Sequence, residues 1–262
     1  PLFRYLLDGL GQTEDWPFLS VESLGSIAPI RFRLLEGAGV AVMPRYFVQG
    51  DLDAGRLEEA KAKIEDAAIS PIIVPANVSK EEDVVRAVSQ VLEVSNCING
   101  VVNVAGITRD ARITKKSYDD FNLVMSVHLG GTFLFTREIA SQHWHPLFKA
   151  NGNEPLDDGV NRFIVNFSSV SARNGNVGQI DYTAAKGAIE SVTRTTAREF
   201  SGYRVRVNAI APGLIRTDFA KALWENPTTL ASVTKGNPLR RIGEPEELAG
   251  AAVFLASKAG TY

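Results

Sequence analysis

The stretch that decides the fold runs from Phe163 to Gly187 and reads FIVNFSSVSARNGNVGQIDYTAAKG. It opens on an apolar run rich in Val, Ile and Phe, which predicts a buried strand. A loop rich in Gly and Asn follows, and the segment after it has the spacing of a helix. Strand, loop and helix in this order form one step of a β–α alternation.

The same alternation extends along most of the chain. Short apolar runs predict strands at Val40–Met43, Ile72–Pro75, Gly100–Val104, Phe163–Phe167 and Val205–Ile210. Helical spacing of apolar residues predicts helices at Leu57–Asp66, Glu81–Val94, Tyr118–Gln142, Tyr182–Phe200 and Pro245–Ala256. We therefore expect an α/β fold with a doubly wound parallel sheet, Rossmann-like, in a single domain. That domain takes up residues 31–262, and residues 1–30 form a divergent N-terminal segment.

Composition narrows the function classes. The 262 residues suit one α/β domain, and a net charge of −2 gives no basic surplus for nucleic acid. No apolar run approaches the roughly 18–20 residues of a membrane span. Cys97 is the only cysteine, which fits a reducing compartment. We expect a protein of the cytoplasm or the mitochondrial matrix that binds neither nucleic acid nor membrane.

Tyr182 and Lys186 suggest acid–base chemistry. They stand four residues apart in a predicted helix, so their side chains share one face. A tyrosine with a pKa near about 10 is a poor catalyst at neutral pH, and a nearby ammonium lowers that pKa. Ser169 ends the preceding strand, where sites of open α/β sheets gather, and its hydroxyl can orient a substrate oxygen. The spacing also occurs by chance in surface helices, so further motifs must support it.

Three further segments supply that support, and with them the chain resembles the short-chain dehydrogenase/reductase family. Asn103–Gly106 is similar to the Asn-Asn-Ala-Gly that follows the family's fourth strand. Asn208–Gly213 is similar to the segment whose Pro-Gly turn borders the nicotinamide, and Arg241–Glu247 to the start of a late helix. The match runs from about Arg33 to Tyr262. Within the family it is closest to 3-oxoacyl-[acyl-carrier-protein] reductases and related hydroxysteroid and hydroxyacyl dehydrogenases.

The resemblance implies hydride transfer between a nicotinamide cofactor, NAD(H) or NADP(H), and a carbonyl or secondary alcohol, with 3-oxoacyl thioesters as one substrate class. It implies catalytic roles for Ser169, Tyr182 and Lys186, and it places His128 where the family has an Asn that holds a water. It implies cofactor contacts at Asp51, Asn77, Asn103, Ala105, Gly106, Tyr182, Lys186, Pro212, Gly213, Ile215 and Thr217. His143 and His145 are the only hint of a metal pair, and without a partner acid or cysteine a surface pair at a helix end is the better interpretation, so we expect no metal.

The nucleotide-binding end departs from the family pattern. Counting back from Gly37 places Ser20, Leu24 and Ser26 where the family has the three glycines that let the backbone approach a pyrophosphate. Val40–Met43 matches the family's second strand, and Asp51 after it favours NAD over NADP. Arg45 argues for the reverse preference, and Asp51 in a solvated turn is an equally good interpretation.

Two functions therefore stay open. The first is an active oxidoreductase on a small-molecule or acyl-thioester substrate. The second is a non-catalytic family member that keeps the fold as a structural subunit, because its cofactor site is degraded. In either case we expect a homo- or hetero-oligomer, a dimer or tetramer, whose interface uses the helices Tyr118–Gln142 and Tyr182–Phe200.

Overall fold

The computed structural model describes residues 39–42, 74, 76–217 and 220–261. Residues 1–30, Asp51, the predicted helix Leu57–Asp66 and all of the predicted strand Ile72–Pro75 except Val74 lie outside this part of the chain. Within it, four parallel strands form one sheet. In spatial order they are β1 (Gly39–Val42), β2 (Gly100–Asn103), β3 (Arg162–Phe167) and β4 (Val205–Ile210).

The position of β1 corrects the sequence alignment. Gly39 pairs with Gly100 and Val42 with Asn103, so β1 lies directly beside β2. In the doubly wound order 3-2-1-4-5-6, the neighbour of the fourth strand is the first strand, not the second. If β2 is the family's fourth strand, β1 occupies the place of the first. The assignment of this segment as the second strand is therefore wrong. The residues that follow it, 43–50, lie outside the described part and contain one glycine, Gly50.

Alternate residues of the strands enter two cores, one on each face of the sheet. Val101, Ile164 and Val207 belong to the larger core, which includes Val84, Val88, Phe135, Ile139 and Trp144 from the helices. Val102, Phe163, Val165 and Phe167 belong to the other core, with Leu248, Leu255 and Ala256 from the last long helix. The sheet is thus covered by helices on both faces, which confirms the predicted doubly wound α/β fold.

The bounds predicted as Glu81–Val94, Tyr182–Phe200 and Pro245–Ala256 are correct to within two residues. The described residues form nine α-helices. They are α1 (Glu81–Ser95), α2 (Tyr118–Met125), α3 (Gly131–Ile139), α4 (His145–Ala150), α5 (Ser171–Asn174), α6 (Ile180–Glu199), α7 (Lys221–Trp224), α8 (Pro227–Thr234) and α9 (Pro245–Ala256). Short 3₁₀ turns cover Ile113–Lys115, Phe200–Tyr203 and Lys258–Gly260. Among the helices described, none is long and apolar enough to cross a bilayer.

One predicted helix is longer than expected and contains two irregularities. Helices α2, α3 and α4 follow one another without a break, because π-helical turns at Ser126–Gly130 and Ala140–Trp144 join them. The predicted helix Tyr118–Gln142 therefore continues to Ala150. Single π turns inside α-helices are frequent at functional sites. The first of the two contains His128.

The loops after β3 and β4 are joined at the carboxyl edge of the sheet. Ser168 N donates to Ile210 O at 2.8 Å, and Val170 N donates to Pro212 O at 3.0 Å. Ser169 is therefore held beside the turn that contains Pro212 and Gly213. This edge is where ligands of open α/β sheets bind.

Candidate active site

Two serines follow β3, and their side chains have different partners. Ser168 Oγ donates to the backbone carbonyl of Lys186 at 3.0 Å and to Glu190 Oε1 at 3.2 Å, so it ties the strand to α6. Ser169 Oγ accepts a bond from Ser171 N at 3.2 Å and is also hydrogen-bonded to Tyr182. Ser169, not Ser168, is thus the serine that meets the tyrosine, as the sequence predicts.

Tyr182 lies in the first turn of α6 and is largely buried. Burial raises its pKa above the ordinary value, the hydrogen bond with Ser169 works in the opposite direction, and the nearby carboxylate of Asp110 raises the pKa further. The phenol is therefore protonated at neutral pH. In this state it can donate a proton to a substrate oxygen.

Lys186 lies one turn further along α6 with only 5% of its surface exposed. Its Nζ donates to the backbone carbonyl of Phe167 at 2.7 Å and lies 5.6 Å from the centroid of the Tyr182 ring. Burial lowers the pKa of Lys186 to about 7, because the ammonium has lost its water. The residue next to the phenol therefore changes its charge close to neutral pH.

His128 is completely buried against the tyrosine. The two rings meet edge to face, with centroids 5.2 Å apart and an interplanar angle of 87°. His128 Nε2 lies 3.0 Å from Ile107 N and 2.7 Å from Ile107 O, so the backbone fixes the ring in either neutral tautomer. Burial and the charge of Lys186 lower its pKa to about 3, against a smaller opposing effect of the Ile107 bond. Nδ1 has no hydrogen-bond partner within the described residues.

The loop after β2 is shaped to fit this imidazole. A Cβ on Gly106 would lie 2.3 Å from Cε1 of His128, so the close approach requires glycine. Ala105 beside it is half-buried. Asn103 is buried, and its amide donates to Asn166 Oδ1 at 2.9 Å, while Asn166 donates to Thr193 Oγ1 at 2.9 Å. The Asn103 side chain therefore joins β2, β3 and α6.

The segment after β4 forms one wall of the same edge. Ile215 pairs with Gly243 as an isolated parallel bridge, and Gly243 N donates to Leu214 O at 2.9 Å. Thr217 O accepts from Trp224 Nε1 at 2.8 Å. Apart from Gly213 and its two chain neighbours, no described residue has an atom within 4 Å of the position that a Cβ would take on Gly213. Hydrogen bonds thus hold the residues after the Pro212–Gly213 turn in place, whereas the turn itself borders open space.

Asn77 is already engaged in a local turn. Its Oδ1 accepts from Ser79 N at 3.1 Å and from Ser79 Oγ at 2.8 Å. Its backbone N–H donates to Asp83 Oδ2 at 2.8 Å, which lowers the pKa of that carboxyl group. The contact that the resemblance implies with the adenine stays a prediction, as does the role of Asp51 outside the described residues.

Sequence reasoning missed four polar residues that surround the tyrosine. Asp110 accepts from Gln179 Nε2 at 3.1 and 2.9 Å, and Lys116 forms a buried ion pair with Asp181 at 2.8 Å. Asp181 precedes Tyr182 directly, which is a signal in the sequence. Its partner is 65 positions away, so only the fold could reveal the pair.

No metal centre is formed by the residues described, because no three His, Cys, Asp or Glu side chains gather there. His145, the second histidine of a His-x-His sequence, instead has its Nδ1 2.9 Å from Tyr203 Oη. The groups that lie together at this edge of the sheet are the hydroxyl of Ser169, the phenol of Tyr182, the amine of Lys186 and the imidazole of His128.

Comparison with known proteins identifies the family of the chain. Residues 25–262 match a family model described as enoyl-(acyl carrier protein) reductase. The chain is 37% identical over 186 residues to a 3-oxoacyl-[acyl-carrier-protein] reductase of Chlamydia trachomatis, covering 71% of this chain and 69% of that protein. It is 31% identical over 241 residues to a 5-keto-D-gluconate 5-reductase of Escherichia coli, covering 91% and 88%.

A solved structure of a short-chain type dehydrogenase/reductase has a similar fold. A short-chain type dehydrogenase/reductase from Mycobacterium ulcerans superposes with a TM-score of 0.71 at 27% identity, covering 86% of this chain and 76% of that one. The fold and these relatives thus show an oxidoreductase with a Rossmann-like sheet. The chain belongs to the short-chain dehydrogenase/reductase family, whose members use NAD(H) or NADP(H).

Proposed function

We propose that this chain reduces a carbonyl group with a nicotinamide cofactor, and that Ser169, Tyr182, Lys186 and His128 carry the reaction. The observation that supports this best is the hydrogen bond between Ser169 and Tyr182 at the carboxyl edge of the sheet. Two hydroxyl groups that share a bond at this edge can both reach one substrate oxygen.

Proton transfer is assigned to Tyr182 Oη. Because burial keeps the phenol protonated, Tyr182 donates its proton to the carbonyl oxygen in the reduction direction. Ser169 Oγ bonds to the same oxygen and orients it. A bound nicotinamide would supply the hydride to the carbonyl carbon. The state of Tyr182 thus favours reduction over oxidation near neutral pH.

The residues around the tyrosine fit the nicotinamide half of a dinucleotide. Lys186 Nζ uses one of its donors on Phe167 O and has others for ribose hydroxyls. The Pro212–Gly213 turn borders open space where the nicotinamide ring would lie. By resemblance to the family, we assign further cofactor contacts to Ala105, Gly106, Ile215 and Thr217, and to Asn103, whose side chain joins β2 to β3. We assign to His128 Nδ1, which has no hydrogen-bond partner among the described residues, a water that returns a proton to the phenol.

The cofactor preference is judged from the nucleotide-binding end of the chain, and the substrate class from the similar proteins. With β1 in the place of the first strand, Asp51 no longer follows the second strand, so it no longer argues for NAD(H) over NADP(H), and either cofactor is proposed. Asn77 would contact the adenine. We propose a 3-oxoacyl thioester as substrate, supported by the 37% identity to the reductase of Chlamydia trachomatis. The likeness to a 5-keto-D-gluconate reductase makes polyol ketones the competing class. The single Cys97 suits a reducing compartment, the cytoplasm or the mitochondrial matrix.

The test is turnover with a matched pair of tyrosine variants. Purified protein is given NADH or NADPH with acetoacetyl-CoA or 5-keto-D-gluconate, and oxidation of the nicotinamide is followed. Tyr182→Phe should abolish turnover while cofactor affinity stays the same, because only the proton donor is removed. Tyr203→Phe serves as the control, since its hydroxyl meets His145 away from the site. Equal turnover in Tyr182→Phe and the wild type would refute the assignment.

A second candidate is a structural subunit without activity. The observation that favours it is the lack of three closely spaced glycines at either possible phosphate turn, residues 20–26 or 43–50. A side chain at such a position keeps the backbone N–H groups away from the pyrophosphate. If this candidate is correct, the protein binds neither cofactor but still forms an oligomer through α2, α3 and α6.

A further inference from the structure

A buried ion pair lies directly beside the catalytic tyrosine. Lys116 Nζ is 2.8 Å from Asp181 Oδ2, and the two side chains are only 5% and 1% exposed. The other carboxylate oxygen, Asp181 Oδ1, accepts from the backbone N–H of Tyr182 at 2.9 Å. Lys116 Nζ also donates to the backbone carbonyl of Arg109. One ammonium and one carboxylate thus connect the loop after β2 to the residue that bears the phenol.

Two further contacts join the same two segments, residues 109–116 and 178–182. Ala111 N donates to Gly178 O at 2.9 Å, and Gln179 Nε2 donates to the carboxylate of Asp110. The Gln179–Asp110 contact is exposed, so water and salt weaken it. The Lys116–Asp181 pair is out of water, so its charge-assisted hydrogen bond is not weakened in this way.

We propose that Lys116 and Asp181 are positioning residues for Tyr182. Their pair holds the first turn of α6 against the loop after β2 and thereby fixes the point where the Tyr182 hydroxyl meets Ser169. This inference rests on the proposed function, in which Tyr182 donates the proton. An exposed aspartate would already satisfy the helix N-terminus. A buried pair adds little net stability over apolar residues, so fixing geometry is the better reason for it.

The first test separates position from stability. Lys116→Met and Asp181→Asn each leave one buried charge unpaired, whereas the double variant leaves none. In all three, kcat should fall by about tenfold to a hundredfold, as for a small misplacement of a reacting group, with the cofactor KM unchanged. The melting temperature should fall in the single variants and recover in the double variant. A double variant with the melting temperature and kcat of the wild type would overturn the proposal.

The control is a second ion pair with a buried partner. Arg162, which is 3% exposed, donates to Asp158 Oδ1 at 3.0 Å at the amino end of β3, the edge of the sheet away from Ser169. Arg162→Met should lower the melting temperature and leave kcat unchanged, as expected for a residue with a structural role alone. If Arg162→Met lowers kcat as much as the Lys116 and Asp181 variants do, their effect is general and the proposal fails.

A second readout does not depend on activity. The chain has six tyrosines, so the ¹³Cζ signal of Tyr182 in labelled protein is assigned by its loss in Tyr182→Phe. Ser169→Ala should move this signal, and the Lys116→Met/Asp181→Asn double variant should move it too, whereas Arg162→Met should not. An unmoved signal in the double variant overturns the proposal. A moved signal in a protein that reduces no carbonyl supports the positioning role and refutes the proposed function instead.

Discussion

Replacing His128 with asparagine should make the protein less sensitive to acid. His128 is 1% exposed, and its pKa is lowered from 6.5 to about 3, chiefly by burial and then by the charge of Lys186. Between these two values the unfolded chain binds a proton that the folded protein does not. The folded protein is therefore destabilised as pH falls below 6.5, and His128→Asn removes this contribution.

The magnitude follows from the two pKa values. At about pH 7.5 the imidazole is neutral in both states and contributes almost nothing. At about pH 5 the imidazole of His128 is protonated in the unfolded state and neutral in the folded state. This pH lies about 1.5 units below the pKa of the imidazole in the unfolded state. The wild type then loses about 2 kcal/mol of unfolding free energy that the variant keeps. For a chain of this size that corresponds to a Tm difference of about 4–8 °C.

The assay is urea unfolding of both proteins at the two pH values, with His145→Asn as a control on the same helical segment. Groups common to all three proteins cancel, because only the change between the two pH values is compared. We expect the wild type and His145→Asn to lose stability in parallel and His128→Asn to lose less. An equal loss in all three would refute the account of His128 as a neutral buried imidazole.

Two other outcomes follow from the described contacts. Gly106→Ala should destabilise the protein by about 1–3 kcal/mol through overpacking, because the added Cβ would lie 2.3 Å from the His128 ring. Calorimetry measures the change in Tm, and a Tm equal to that of the wild type would contradict the contact. Light scattering at micromolar concentration should give a dimer or tetramer, and Phe133→Glu, at a side chain 50% exposed on α3, should shift it toward monomer. A monomeric wild type would count against the predicted helical interface.

Much of the fold could be predicted because its signals are local. The apolar runs at β2, β3 and β4 and the bounds of α9 follow from residue type and spacing alone. The place of β1 could not be predicted in this way, since strand order depends on which strands pair in space. The π turn at Ser126–Gly130 could not be predicted from the sequence either, because it changes the hydrogen-bond pattern without changing the apolar spacing.

In the candidate site, too, the features that are local in the sequence could be predicted and those that depend on distant segments could not. Ser169, Tyr182 and Lys186 lie close together in the sequence, so their convergence follows from one strand–loop–helix unit. Burial raises the pKa of Tyr182 in the structure, whereas the ammonium of Lys186, the charge that the sequence spacing brings near the phenol, would lower it. How deeply a side chain is buried depends on distant segments and is not encoded in spacing. The Lys116–Asp181 pair likewise could not be predicted, because the two residues lie far apart in the sequence and meet only in the folded protein.

The measurement that tests the central claim most directly is the affinity for NADH and NADPH by fluorescence titration. We expect NADH and NADPH to bind weakly, because the sequence has no three closely spaced glycines at residues 20–26 or 43–50. Each lost hydrogen bond to a phosphate oxygen costs about 1.5–3 kcal/mol, or about one to two orders of magnitude in affinity. Saturable NADH binding that Lys186→Met weakens is the predicted result. Failure of both cofactors to bind at millimolar concentration would contradict an active reductase and leave the structural subunit as the function.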